Sequence, residues 1–132
     1  MLRMLLGLAL YHQDKGRAAK EMAKAADLDP RNGDYRRMLG LIWEAAGQLD
    51  AAVRSLAHAV ELLPLEAMVR GTLGRMYLRQ GQPHQAGPVL ARAVELDRGN
   101  FLLHFHLGRA RRAMGQTERA ARSFRRCTQL KP

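Results

Sequence analysis

The chain predicts an all-α fold made of about four 34-residue helix-turn-helix repeats, eight helices in all. Three observations lead there. Laid over itself at an offset of 34 residues, the sequence aligns Gly40 with Gly74 and Gly108, Gly47 with Gly81 and Gly115, and Ala52 with Ala86 and Ala120. Between these marks apolar residues recur at helical spacing, and no strand alternation appears. Aromatics make up only 5% of a chain that is 47% hydrophobic. Its core must therefore be aliphatic and rich in alanine, which suits closely packed helices. A fixed period of this length marks a repeat array, in which each unit buries its apolar face against its neighbours.

The repeats fall near 1–32, 33–66, 67–100 and 101–132. The expected helices are near 2–13, 17–29, 34–46, 49–62, 67–80, 84–96, 101–114 and 117–130. The first repeat is the weakest. Leu5, Ala9, Ala18, Met22, Ala25 and Leu28 fit the apolar stripe, but Gln13 stands where a turn glycine belongs. Gly16 is expected to serve that turn in a shifted way.

The second repeat is the clearest. Tyr35, Leu39, Ile42, Trp43 and Ala46 share a helix face, and Gly47 ends that helix, since glycine accepts the left-handed conformation. Asp50 lies in the first turn of the next helix, where its charge favours the N-terminal dipole. Ala52, Val53, Leu56, Ala59, Val60 and Leu63 form the second stripe, and Pro64 stops it.

The third repeat follows with Leu73, Gly74, Tyr77, Gly81, Ala86, Leu90, Ala93 and Leu96. Gly87-Pro88 falls inside its second helix, so a kink or a late helix start is expected there. Pro83, at the start of that helix, is tolerated. The fourth repeat has Leu107, Gly108, Gly115, Ala120, Phe124, Cys127 and Leu130. Cys127, the single cysteine, takes the slot of Ala59 and Ala93 and reads as a small buried hydrophobe.

These residues resemble the tetratricopeptide repeat family. Its motif asks for Leu-Gly, an aromatic three residues on, then Gly, Ala, a large apolar residue, Ala and Pro. The second repeat supplies Leu39-Gly40, Trp43, Gly47, Ala52, Leu56, Ala59 and Pro64. The third supplies Leu73-Gly74, Tyr77, Gly81, Ala86, Leu90 and Ala93, with Arg98 in place of Pro. The fourth supplies Leu107-Gly108, Gly115, Ala120, Phe124 and Pro132, with Arg111 in place of the aromatic. The resemblance implies a right-handed α-solenoid whose first helices line a concave groove. It speaks to fold more than to function, because the motif residues are packing residues.

The groove slots implied by that resemblance mix apolar groups with arginine. Met38, Leu41, Met68, Leu78, Leu102 and Phe105 would form a greasy floor. Arg37, Arg75, Arg79, Arg109 and Arg112 would grip carboxylates. Corresponding slots in the first repeat are Arg3, Met4, Gly7, Leu10 and Tyr11; Gly71 and Thr72 are slots of the third. A subset of the family clamps chaperone C-termini with Lys and Asn. Those slots here hold Arg37, Leu41 and Thr72, which argues against that ligand.

The leading expectation is a protein–protein interaction scaffold that binds an acidic or amphipathic peptide or partner helix. Nucleic-acid binding is the alternative drawn from charge. The net charge is +10, and residues 101–132 alone carry +7, with Arg119, Arg122, Arg125 and Arg126 clustered. Scarce aromatics for base stacking and the strict 34-residue period argue against it. A third expectation is self-association, because no polar capping helix follows the fourth repeat. The same absence suggests a piece of a longer array.

No catalytic, cofactor or metal constellation is expected. His104 and His106 are two apart and point to different helix faces, and His12, His58 and His84 are scattered. The glycines recur with the repeat and cradle no phosphate. Asp27 and Asp29 read as solvated turn residues. No apolar run is long enough to span a membrane. Met1 to Leu10 is apolar with Arg3, but no small-residue cleavage site follows, so it reads as a first repeat helix. The expected setting is a soluble compartment, cytoplasmic or periplasmic.

Overall fold

The computed structural model describes residues 2–132, with side chains from Asp14 onward. The described residues form seven α-helices and no strand. They fall into two compact units, Met1–Leu62 and Leu63–Pro132.

The first unit contains α1 (Leu2–Leu28), α2 (Gly33–Ala45) and α3 (Leu49–Leu62). The two helices expected before residue 30 are one continuous helix. The physical reason lies in the turn. Gly47, Gly81 and Gly115 close their helices at φ values of 79°, 72° and 79°, which other residues rarely adopt. Gly16 has no such conformation and lies within α1. Without a turn to reset the helical phase, the buried face also slips by one residue. Ala19 and Ala26 are fully buried in place of Ala18 and Ala25, and Leu28 is exposed.

The rest of this unit follows the expected plan. Asn32 caps α2 by accepting a hydrogen bond from the Tyr35 amide at 3.2 Å. Lys15 Nζ donates to the Ala45 carbonyl at 3.1 Å, tying α1 to the end of α2. A methyl added at Gly40 would lie 2.6 Å from Leu56 Cγ, so only glycine lets α2 approach α3 this closely. Ala52, Leu56 and Ala59 are fully buried along that seam.

The second unit contains α4 (Ala67–Arg79), α5 (Pro83–Leu96), α6 (Phe101–Ala113) and α7 (Thr117–Leu130). Each helix packs on the next, and α4 also touches α6. Ala86, Leu90, Leu107 and Ala110 form the core between α5 and α6, with Tyr77, Leu78 and Met114 packed against it. Gly74 lies against Leu90 and Gly108 against Phe124, repeating the close approach seen at Gly40. Gly71 has the same role between α4 and α6, where Leu103 covers it.

Helix α5 starts at Pro83 and runs through Pro88, so the late start does not occur. Pro83 occupies the first turn, where a proline ring fits without loss of a hydrogen bond. Cys127 is half-buried, whereas Ala93 at the same slot is fully buried. The difference follows from packing, since α7 rests chiefly on α6 alone.

Candidate functional site

Helices α4 and α6 each turn one stripe into the core and leave another outside. On α4, Val69, Leu73 and Met76 are buried; on α6, Leu103, Leu107 and Ala110 are. Other positions on these helices are exposed, among them Met68, Leu102 and Phe105. Among the described residues the exposed large hydrophobics are Leu28, Met38, Leu41, Leu65, Met68, Leu102 and Phe105. Five of these, from 38% to 49% exposed, are residues assigned to the groove floor from sequence: Met38, Leu41, Met68, Leu102 and Phe105. Leu78 is different. It is half-buried and packs against the α5–α6 core.

The two units hold separate parts of this set. In the first, Met38 and Leu41 lie on α2 beside Arg37, whose guanidinium is 3.5 Å from the Asp34 carboxylate. In the second, α4 carries Met68, Arg75 and Arg79, and α6 carries Leu102, Phe105, Arg109 and Arg112. Asn100, which caps α6 through the Leu102 amide, donates its side-chain amide to Met68 Sδ at 3.1 Å. That contact joins the starts of the two helices. The Arg3, Met4, Gly7, Leu10 and Tyr11 slots lie outside the described side chains.

Aromatic and cationic groups alternate along α6 and α7. The Arg109 guanidinium sits 5.9 Å from the Phe105 ring centre. Phe105 meets Phe124 at 6.1 Å in a tilted pair, and Arg112 sits 5.5 Å from the Phe124 ring. Each guanidinium lies within cation–π distance of a ring. Phe124 reads from sequence as a stack residue on a helix with an uncovered side. Its half-exposed ring joins this surface because α7 lies beside Phe105.

His106 lies under the same face, 5.5 Å from Phe105. Its Nδ1 is buried with no hydrogen-bond partner among the described residues. Burial, then the charges of Arg109 and Arg75, lower its pKa from 6.5 to about 4. The ring is therefore neutral at physiological pH, and the positive charge of the face belongs to its arginines. Among the described residues no group of three His, Cys, Asp or Glu is placed to hold a metal ion. No helix among them is long and apolar enough to cross a membrane.

A tetratricopeptide repeat profile matches residues 3–67, 45–101 and 71–132. The chain belongs to the tetratricopeptide repeat family. Folds of this family generally mediate protein–protein interaction and are generally not enzymes. Solved structures of similar fold include MamA, with TM-score 0.82 at 21% identity over 97% of this chain and 77% of that one. A MamA RS-1 double mutant is 25% identical, with TM-score 0.82, covering 97% of this chain and 71% of that one. The second tetratricopeptide domain of Spaghetti (RPAP3), bound to the HSP90 peptide SRMEEVD, has TM-score 0.74 at 17% identity over 81% of this chain and 99% of that one. No curated protein sequence matches the chain.

Proposed function

We propose that this tetratricopeptide repeat protein is a scaffold whose exposed first-helix face binds an acidic, amphipathic peptide or partner helix. The observation that carries this reading is the coincidence of exposed Met68, Leu102 and Phe105 with arginines on the same two helices. An apolar side chain of the ligand would cover the floor, and its carboxylates would meet Arg75, Arg79, Arg109 and Arg112. Met38, Leu41 and Arg37 offer the same chemistry on α2. The peptide bound to the RPAP3 domain, SRMEEVD, also mixes apolar and acidic side chains. That likeness concerns ligand class, since Arg37, Leu41 and Thr72 stand where a chaperone clamp needs other residues.

Selection of a displayed peptide library on the intact chain tests the reading. The enriched sequences are expected to combine Asp or Glu with Leu, Ile, Met or aromatic residues. An Arg75→Glu/Arg109→Glu variant should lose most of that binding, while Arg54→Glu on α3 should keep it. Equal losses from the two variants would sink the groove.

Self-association through α7 is a second reading. Cys127 and Phe124 are half-buried where Ala93 and Leu90, at the same slots, are fully buried. Sedimentation over a wide concentration range decides it. A concentration-independent monomer counts against pairing.

A further inference from the structure

The fourth repeat differs from the others on another face of α6. The difference originates in one departure from the family motif. Trp43 and Tyr77 occupy the aromatic slot of the second and third repeats, and Arg111 occupies it in the fourth. Arg111 reaches toward α7 and donates to Ser123 Oγ at 2.8 Å. Ser123 is itself buried, at 3% exposure. Two open cavities meet at Arg111, with volumes of about 260 Å³ and 320 Å³, and they share Ala91, Leu107 and Arg111. The first adds Pro88, Met114 and Arg119; the second adds Arg122, Arg126 and His104.

Charge in this crevice is not balanced. Among the described residues no carboxylate lies within ion-pair distance of Arg111, Arg119, Arg122 or Arg126. Glu95 borders the second cavity, but its carboxylate is already engaged by Arg92 at 3.0 Å. Burial, then Arg119 and Arg122, lower the pKa of Arg111, as expected for a cation crowded by like charges. The comparable slot in the second repeat is relieved in two ways. Trp43 supplies an uncharged ring there, and Arg36 is 3.7 Å from Asp27.

We propose that the crevice lined by α5, α6 and α7 binds a phosphate monoester, with Arg111, Arg119 and Arg122 gripping the phosphate. Three guanidiniums match a doubly charged group with three acceptor oxygens better than they match a single carboxylate. Pro88, Ala91, Leu107 and Met114 form an apolar wall that receives the organic part of the ester. The site needs no residue of the peptide-binding face, so it stands or falls independently of it.

Calorimetric titration of the intact chain with phenyl phosphate, inorganic phosphate and benzoate tests the assignment. Phenyl phosphate is expected to saturate one site and to bind more tightly than inorganic phosphate, because its ring meets the apolar wall. Benzoate should bind most weakly of the three. Arg111→Tyr restores the family aromatic, keeps the helix pair and should weaken phenyl phosphate by about tenfold or more. Arg125→Gln removes the same charge outside the crevice and should leave binding within about twofold. Arg75→Glu/Arg109→Glu should also leave it in place. Absence of saturable binding, benzoate equal to phenyl phosphate, or equal losses in Arg111→Tyr and Arg125→Gln would each overturn the proposal.

Discussion

In the third repeat Gly74 lies against Leu90 and the slot three residues on holds Tyr77; in the fourth, Gly108 lies against Phe124 and the slot holds Arg111. The backbone plan is the same in both, down to glycine turns at φ 72° and 79°. The side chains divide the work differently. In the third repeat the large groups are spent on packing: Leu90 is fully buried and Tyr77 covers the α5–α6 core. In the fourth, Phe124 is half-buried under Arg112, and Arg111 leaves an open crevice where its repeat plan calls for a ring. Thus the aromatic slot is filled by a packing ring in the third repeat and by a cation beside open space in the fourth.

Truncation should separate the two most sharply. Leu90→Ala empties a fully buried site between helices and is expected to cost about 2–5 kcal/mol. Phe124→Ala removes a larger group, but one that is half in solvent, and should cost about half as much. Urea unfolding of the two variants checks this. A Phe124→Ala cost equal to or above that of Leu90→Ala would place Phe124 in the core and erase the contrast.

Adding a methyl probes the same seam from the other side. Gly74→Ala drives Cβ into the branch point of Leu90, which has no free space to retreat into. The expected cost is about 1–3 kcal/mol. Gly108→Ala meets the rim of Phe124 at 2.6 Å, and that half-exposed ring can swing outward. Its melting temperature should fall less than that of Gly74→Ala.

A smaller effect is expected from His106. Its folded-state pKa of about 4 lies below the unfolded value of 6.5, so the unfolded chain binds the proton more readily between those values. Stability contributed by the neutral ring is complete above pH 6.5 and declines as pH falls toward 4. Allowing for partial exposure, the loss is about 1–2 kcal/mol. Denaturation midpoints at pH 7 and pH 4.5 should converge in His106→Gln. An unchanged pH dependence in that variant would remove His106 from the buried side of the face.

The helix pairs after residue 32 were legible because two independent signals agree there. A glycine marks each turn, and a second glycine faces a large side chain across each pair. The start of the chain lacked the first signal. Gln13 left the turn undefined, and Gly16, which helices tolerate, did not replace it. The exposure of Met38, Leu41, Met68, Leu102 and Phe105 was legible from the slots the family resemblance implies, which lie off the buried stripe. Leu78 is more covered than its slot implies, and Phe124 packs against Gly108 while part of its ring stays open. Spacing along one helix says which face a residue occupies, and only the neighbouring helices decide whether that face is covered.

The smallest expected change tests the comparison most directly. Arg111→Tyr gives the fourth repeat the aromatic of the third. Three opposing terms are involved: loss of the 2.8 Å hydrogen bond to Ser123, relief of repulsion from Arg119 and Arg122, and burial of a ring against Leu107 and Met114. A single hydrogen bond to a charged group contributes about 1.5–3 kcal/mol, and ring burial is of the same order. Their sum should leave stability within about 1 kcal/mol of the parent, on the stabilising side at low salt, where repulsion is least screened. Thermal melts at low and high salt read this out. A clear destabilisation at both would mean that Arg111 supports the fold as Tyr77 does, and the fourth repeat would lose its claim to a freed binding position.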